Sequence, residues 1–211
     1  MKKIINEPTQ VVDEMLQGLS FMHDDLVERL DGFDVIVRKA EKTGKVGLIS
    51  GGGSGHEPSH AGFVGEGMLS AAICGAVFTS PTPDQILEAI KVANEGAGVF
   101  MVIKNYSGDI MNFEIAQELA EMEGIDIASV VVDDDIAVEN SLYTQGRRGV
   151  AGTILVHKIL GAAARSGKSL SEMKDLADKL VLEIKTIGLA LSGATVPEVG
   201  KPGFVLEDDE F

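Results

Sequence analysis

The sequence predicts an α/β domain: a largely parallel or mixed sheet covered by helices on both faces, with a ligand site at the strand carboxyl ends. Three observations carry this expectation. Short apolar runs at residues 46–49, 99–103 and 125–132 suit buried strands, and they alternate with longer stretches of helical period. Such alternation places helices over a sheet whose strands run mostly parallel. The first two runs end in polar, glycine-bearing stretches, GGGSGHEP and KNYSGD, and ligands of open α/β sheets bind beyond the carboxyl ends of strands.

From the N-terminus, residues 1–8 read as extended. Val11, Val12, Met15, Leu16, Leu19 and Met22 recur at helical spacing, and Leu26, Val27 and Leu30 continue it, so the region reads as helix with a break near His23. His23, Asp24 and Asp25 read as solvated or capping groups, because adjacent residues do not face one another on a helix. Residues 34–39 alternate, with Val35 and Val37 on one side and Ile36 on the other, which predicts the first strand; residues 45–50 predict the second. Glu57 and Pro58 open a short helix over 58–68, weakened by Gly62, Gly65 and Gly67. The run 69–78 is small and apolar enough to be buried, with Cys74 as a packing residue.

Residues 79–83 punctuate the chain, and Thr82 or Ser80 caps a helix over 83–94 that turns Ile86, Leu87, Ile90 and Val92 or Ala93 inward. A helix over 111–122 follows the second polar stretch. The strand 125–132 ends in Asp133, Asp134 and Asp135, which read as capping and solvated loop carboxylates in preference to a magnesium site. Residues 149–165 read as a helix rich in small residues, with Ile154, Leu155, Ile159 and Leu160 inward and His157 packed or at the surface. Ser169 and Glu172 form a capping box for a last helix running to about Leu191. From Ser192 the chain is loop-like, and FVLEDDEF begins a strand and stops. The domain is therefore placed at 1–191, with 192–211 as a loop and the start of a following segment.

In the stretch 45–60, Gly51, Gly52, Gly53 and Gly55 let the loop bend sharply and offer bare N–H groups to a small polar ligand. His56 follows, a group able to give or take a proton near neutral pH. A dinucleotide fingerprint is excluded because glycine would be needed where His56 or Pro58 stands. A nucleophile elbow at Ser54 fails on His56 as well. His60, one helical turn from His56, is either a support for the site or a surface histidine. In the second stretch Asp109 is the N-cap of the next helix, an acceptor for a substrate hydroxyl proton, or both. Lys104 at a strand end holds a substrate oxygen or is a solvated charge. Arg147 and Arg148 meet a partner, a phosphate or the chain's own carboxylates. GAAARSGKS has the wrong glycine spacing for a phosphate loop and follows a helix.

The net charge of -15, from 33 acids against 18 bases, disfavours nucleic acid and anionic membranes as partners. One cysteine, Cys74, leaves no internal disulfide. The start MKKIINEPTQ does not read as a signal peptide, and no apolar run approaches a membrane span. The expected location is cytoplasmic.

The GGGSGHEP and IKNYSGD motifs, in that order and separation, resemble the dihydroxyacetone-binding subunit of bacterial dihydroxyacetone kinase; RRGVAGT and GATVPEVGKPGF resemble the same family. The resemblance covers essentially all 211 residues. It implies phosphoryl transfer to dihydroxyacetone, in glycerol metabolism, with the ketone held here and ADP or ATP with magnesium carried by a separate nucleotide-binding kinase subunit. No cofactor would sit on this chain. In the bacterial type a phosphotransferase relay subunit recharges the nucleotide from phosphoenolpyruvate; related enzymes use ATP directly. By position, Gly53, Ser54, Gly55 and His56 would surround the substrate. Lys104 and Asp109 would bind its oxygens, and His56 and Asp109 would move protons. The resemblance also implies a homodimer, and it includes paralogues that bind dihydroxyacetone as regulators. In this family a histidine beyond FVLEDDEF forms a covalent hemiaminal with the ketone. The last histidine of these 211 residues is His157, so the expectation is that this chain is impaired alone.

Overall fold

The computed structural model describes residues 4–40, 42–139, 141 and 144–211. In chain order the elements are α1 (Val11–Met22), β1 (Val27–Arg29), β2 (Val35–Arg38), β3 (Gly47–Ser54), β4 (Ala71–Val77), α2 (Pro83–Ala93), β5 (Val99–Lys104), α3 (Ser107–Met122), β6 (Ile127–Val132), α4 (Gly152–Arg165) and α5 (Leu170–Glu183), with short 3-10 turns at Pro8–Gln10 and Ala61–Phe63. The six strands form one mixed sheet in the order β1-β2-β4-β3-β5-β6. β1, β2 and β4 pair antiparallel, while β4, β3, β5 and β6 run parallel. Helices cover both faces as expected. One core gathers Leu16, Leu48, Phe100, Val102, Val156, Leu160 and Met173 beneath α1, α4 and α5. The other gathers Ile49, Met101, Ile86, Ile90, Phe113 and Ala116 beneath α2 and α3.

This topology creates a crevice. Strand β3 lies between β4 and β5, so the chain leaves it toward one neighbour and later returns to the other side. The β3–β4 connection packs Ala61, Phe63 and Leu69 on the α4 side, whereas α3, which leaves β5, packs on the opposite side. Connections diverging from adjacent parallel strands open a gap at their carboxyl ends, the usual place for a ligand in open α/β sheets.

Several local expectations are corrected. Residues 26–30 are not helix: the Leu26 and Val27 N–H groups both donate to the His23 carbonyl, and Val27–Arg29 then pairs with β2. Sheet pairing overrides the helical period, and Leu26 is left exposed. The glycine run is not a loop after a strand ending at Ser50, because β3 continues to Ser54 with Gly51, Gly52 and Gly53 paired to Ile73, Cys74 and Gly75. A Cβ at Gly51 would lie 2.6 Å from the Ile73 carbonyl oxygen, so close approach of β4 requires the missing side chain.

No helix forms over 58–68; only Ala61–Phe63 makes a helical turn, consistent with the cost of about 1 kcal/mol that each interior glycine would impose. His60 is accordingly not on a helix face beside His56 but 5% exposed in the α4-side core. On α4, Leu155 and Ile159 point outward, and the buried face is Val156, His157, Leu160, Ala163 and Ala164. Its small residues bring the helix so near that a Cβ at Gly161 would be 2.4 Å from the Gly67 carbonyl. Helix α5, whose Ser169–Glu172 capping box is present, ends at Glu183. Beyond it Thr186 pairs with the aspartate loop, its N–H donating to the Asp134 carbonyl at 2.8 Å, so the helix does not reach Leu191. FVLEDDEF forms no strand, the nearest pairing being an isolated bridge between Thr195 and Pro202.

The three aspartates after β6 are structural. Asp134, 1% exposed, accepts from the Val150 and Gly152 N–H groups and from Thr186 Oγ1, tying the start of α4 to the segment after α5. Asp135, fully buried, meets Arg148 at 2.6 Å, and Asp133 meets Arg147 at 3.1 Å. Burial, not solvation, describes the last two carboxylates, and the two arginines rest against the chain's own acids.

Behind the sheet, His60 Nδ1 lies 3.0 Å from His157 Nε2 and 3.4 Å from Ser50 Oγ. Ser50 donates its proton to the Val102 carbonyl at 2.7 Å, so its oxygen accepts from His60 Nδ1–H, and His157 Nε2 accepts as well. Burial, then the nearby Lys104 charge, pushes His157 from 6.5 down to about 3, and His60 well below its usual value. Between pH 6.5 and about 3 the unfolded chain binds protons that folded His157 refuses, so stability falls as pH drops across that window, by about 1.4 kcal/mol per pH unit for this residue. Urea unfolding of wild type and His157→Gln, at neutral pH and at about pH 5, measures the effect. The wild type is expected to lose more stability than the variant; equal losses would overturn the assignment.

Candidate active site

Three strand-end segments converge on one cavity of about 610 Å³, lined by Gly53, His56, Phe78, Ser80, Lys104, Tyr106, Ser107, Gly108 and Asp109. The first segment follows β3, the second follows β4 and the third follows β5. Strand alternation fixes where Lys104 goes: on β5 it shares a face with Phe100 and Val102, over the α4-side core. Its ammonium lies above Gly52, where a Cβ would be 2.8 Å from Nζ and 3.4 Å from Asp109 Oδ2. It also stands 5.5 Å from the Tyr106 ring centroid. The glycine of β3 thus makes room for the lysine of β5.

Asp109, 3% exposed, sits in the first turn of α3. It is not the N-cap, which is Tyr106. Ser80 donates to Asp109 Oδ1 at 2.5 Å. Burial raises the Asp109 carboxyl above its ordinary value, against the Ser80 hydrogen bond and the Lys104 charge, which both lower it. Burial likewise lowers Lys104, with Asp109 opposing.

His56 stands at the exposed rim, its Nδ1 3.0 Å from the Gly53 carbonyl oxygen. A carbonyl only accepts, so Nδ1 carries the proton and Nε2 is the bare nitrogen of the neutral ring. Desolvation, then the Lys104 charge, holds the imidazole below its usual value, which favours the neutral ring with Nε2 open as an acceptor. A neutral imidazole acceptor, a buried carboxylate and an ammonium therefore face one space. That set can bind a polyhydroxylated carbonyl compound and take a proton from one of its hydroxyls.

Of the residues singled out from sequence, Gly53, His56, Lys104 and Asp109 line this cavity. Ser54 and Gly55 face a second cavity behind the loop, and Ser54 Oγ donates to the Gly75 carbonyl at 2.8 Å. Asn105 is turned away: its Nδ2 donates to the Gln145 and Arg147 carbonyls, holding the arginine loop against the end of β5. Sequence reasoning missed Phe78 and Ser80. The small apolar run 69–78 marks burial but not strand direction; because Ala71–Val77 runs parallel to β3, the turn after it is a third strand-end loop.

The fold and site define a class, an α/β domain with a small-molecule pocket at the point where strand order reverses and with proton-accepting groups inside it. The chain belongs to the Dak1 domain family, whose model matches residues 17–211. It is 72% identical, over its whole length, to the dihydroxyacetone-binding subunit DhaK of the PTS-dependent dihydroxyacetone kinase of Lactococcus lactis, and spans 63% of that relative. It is 43% identical to the DhaKLM operon coactivator DhaQ of the same organism, over 99% of this chain and 63% of the coactivator. The crystal structure of the dihydroxyacetone kinase from C. freundii in complex with AMP-PNP and Mg2+ superposes with a TM-score of 0.78 at 39% identity, over 84% of this chain and 33% of that one.

Because the Ser80 hydrogen bond is the leading influence holding Asp109 down, Ser80→Ala is expected to raise the Asp109 titration midpoint. Gly52→Ala, whose methyl would push Lys104 Nζ aside, is expected to raise it less. Carbon-13 NMR of the aspartate carboxyl carbons reads both, and an unchanged midpoint in Ser80→Ala would overturn the proposed geometry.

Proposed function

We propose that this chain is the substrate-holding part of a dihydroxyacetone kinase, binding dihydroxyacetone for phosphorylation to dihydroxyacetone phosphate. The observation that carries the reading is the meeting of His56, Lys104 and Asp109 in one strand-end cavity of a Dak1 chain. Lys104 donates to a substrate oxygen and the Gly53 backbone forms a wall beside it. The single hydroxyl proton passes to one member of the acceptor pair, Asp109 or the bare Nε2 of His56, as the oxygen attacks phosphorus. A positioned base of this kind contributes about 10²–10⁴-fold. The remaining acceleration comes from holding the hydroxyl in line with the phosphoryl group.

The phosphate comes from ADP or ATP held with magnesium on a separate kinase subunit, served in turn by a phosphotransferase relay subunit. The small cavity charge of this chain, one ammonium against one carboxylate, suits a neutral ketone and not a polyphosphate. A homodimer in the cytoplasm completes the reading; no helix among the described residues is long and apolar enough to cross a membrane.

A second reading is that of a coactivator-like regulator, which the DhaQ relative keeps in view. The much higher identity to the kinase subunit of the same organism favours the enzyme. Isothermal titration with dihydroxyacetone and glycerol, followed by turnover assays of the full-length subunit with its nucleotide-carrying partner, separates the two. The expected result is preference for the ketone, with turnover that Asp109→Asn lowers by about 10²-fold or more. Ketone binding with no turnover would identify a regulator, and equal affinity for glycerol would reduce the chain to a general polyol binder.

A further inference from the structure

Phe78 is the one non-glycine residue with positive φ among the described residues, at 55°. That region is sparsely populated by bulky side chains and persists only where the surroundings impose it. Here the Phe78 N–H donates to the Ser54 carbonyl at 2.8 Å and the Thr79 N–H to Ala76 at 2.9 Å, fixing the turn. The unusual backbone does not serve core burial, because the ring is 43% exposed and belongs to neither apolar cluster. What the ring meets is His56, edge-to-face, with centroids 5.1 Å apart and planes at 71°. Room for it exists because Gly55 has no Cβ; one would lie 2.6 Å from the Phe78 ring.

We propose that Phe78 is a positioning residue for His56, locking the imidazole so that Nδ1 stays on the Gly53 carbonyl and Nε2 stays open to the substrate. The inference deepens the kinase reading and rests on it for its catalytic consequence. The torsion of an imidazole about its Cβ–Cγ bond is broad and roughly two-fold, so a rim histidine exchanges its two nitrogens unless packing prevents it. One ordinary hydrogen bond biases such an equilibrium by a factor of only about five. The oriented aromatic contact holds the plane of the ring, within which that hydrogen bond selects the nitrogen that faces Gly53. Together they make the base available in one orientation before substrate arrives. A ring held this way also sheds water from one side, which agrees with desolvation being the main influence on His56.

The test uses Phe78→Gly, in which glycine takes a φ of 55° without strain and the ring alone is lost. Nitrogen-15 NMR of the His56 ring in this chain reads its tautomer directly. The wild type is expected to show the proton on Nδ1. Phe78→Gly is expected to show a mixture of tautomers, and Phe78→Tyr to restore the wild-type pattern. In the full-length subunit with its nucleotide-carrying partner, Phe78→Gly is expected to lower kcat about tenfold or more with KM little changed, again restored by Phe78→Tyr. Phe78→Leu, which keeps an apolar side chain without an aromatic edge, is expected to resemble Phe78→Gly in the ring spectrum and stands in for it should the glycine variant unfold. An unchanged His56 tautomer in both ring-less variants would overturn the proposal. Failure of wild type to bind dihydroxyacetone would instead defeat the kinase reading, while the ring spectra still decide the positioning role.

Discussion

The site depends on a steric constraint, the close fit of the turn from Phe78 to Pro81 against glycine backbone. A Cβ at Gly53 would lie 2.5 Å from the Thr79 nitrogen, one at Gly75 2.1 Å from the Thr79 oxygen, and one at Gly108 2.8 Å from Ser80 Oγ. Real Cβ atoms do not approach backbone so closely, so any larger residue at Gly53 or Gly75 pushes the turn away. The turn touches two titratable groups of the cavity, Phe78 against His56 and Ser80 against Asp109. Moving it would therefore disturb both at once. The glycines that look like a ligand-cradling loop in sequence are largely a socket for another part of the chain.

Within that socket the charges are arranged around Lys104. Burial disfavours an ammonium there, and the opposing influence on it comes from Asp109. The residues beneath it on the α4 side, His60 and His157, are kept neutral by burial and by the lysine's own charge. They give it no counterion. The lysine and Asp109 thus hold each other in the charged state, and a change to either carries over to the other as well as to His56, which Lys104 lowers and Asp109 raises. The proton affinities of the three groups are therefore linked through their charges.

Much of this was legible from residue order. The α/β class, the strands at 99–103 and 125–132, the helices near 83–94 and 111–122, and the capping box at Ser169 follow from periodicity and end signals that tertiary packing reinforces. His56 and Asp109 both follow apolar runs that read as strands, polar loops at equivalent strand ends can converge on one pocket, and the cavity contains both. The failures share a different cause. β1 is three residues long and has no period of its own, so only pairing to β2 reveals it. The extension of β3 through its glycines depends on close contact with Ile73, which no local rule encodes. Helix α4 buries alanines and a histidine while exposing Leu155 and Ile159, because backbone proximity at Gly67 favours small residues over large ones. Ser80 read as a helix cap because its carboxylate partner lies 29 positions away.

Recognition of a small ketone and transfer of phosphate to it make different demands, and the geometry bears on the difference. A binder needs donors and acceptors matched to two hydroxyls and a carbonyl, which neutral side chains supply without the desolvation cost of buried charge. Here a carboxylate 3% exposed has its proton affinity raised by burial and sits in the same cavity as a neutral imidazole whose tautomer is set by a backbone carbonyl. Such an arrangement is costly for simple recognition and places two groups able to accept a proton in one cavity. The same strand ends that shape the pocket also hold both acceptors before a ligand arrives, so little reorganisation is left for the reacting step. On these grounds the pair of acceptors, more than the shape of the pocket, supports the proposed kinase reading.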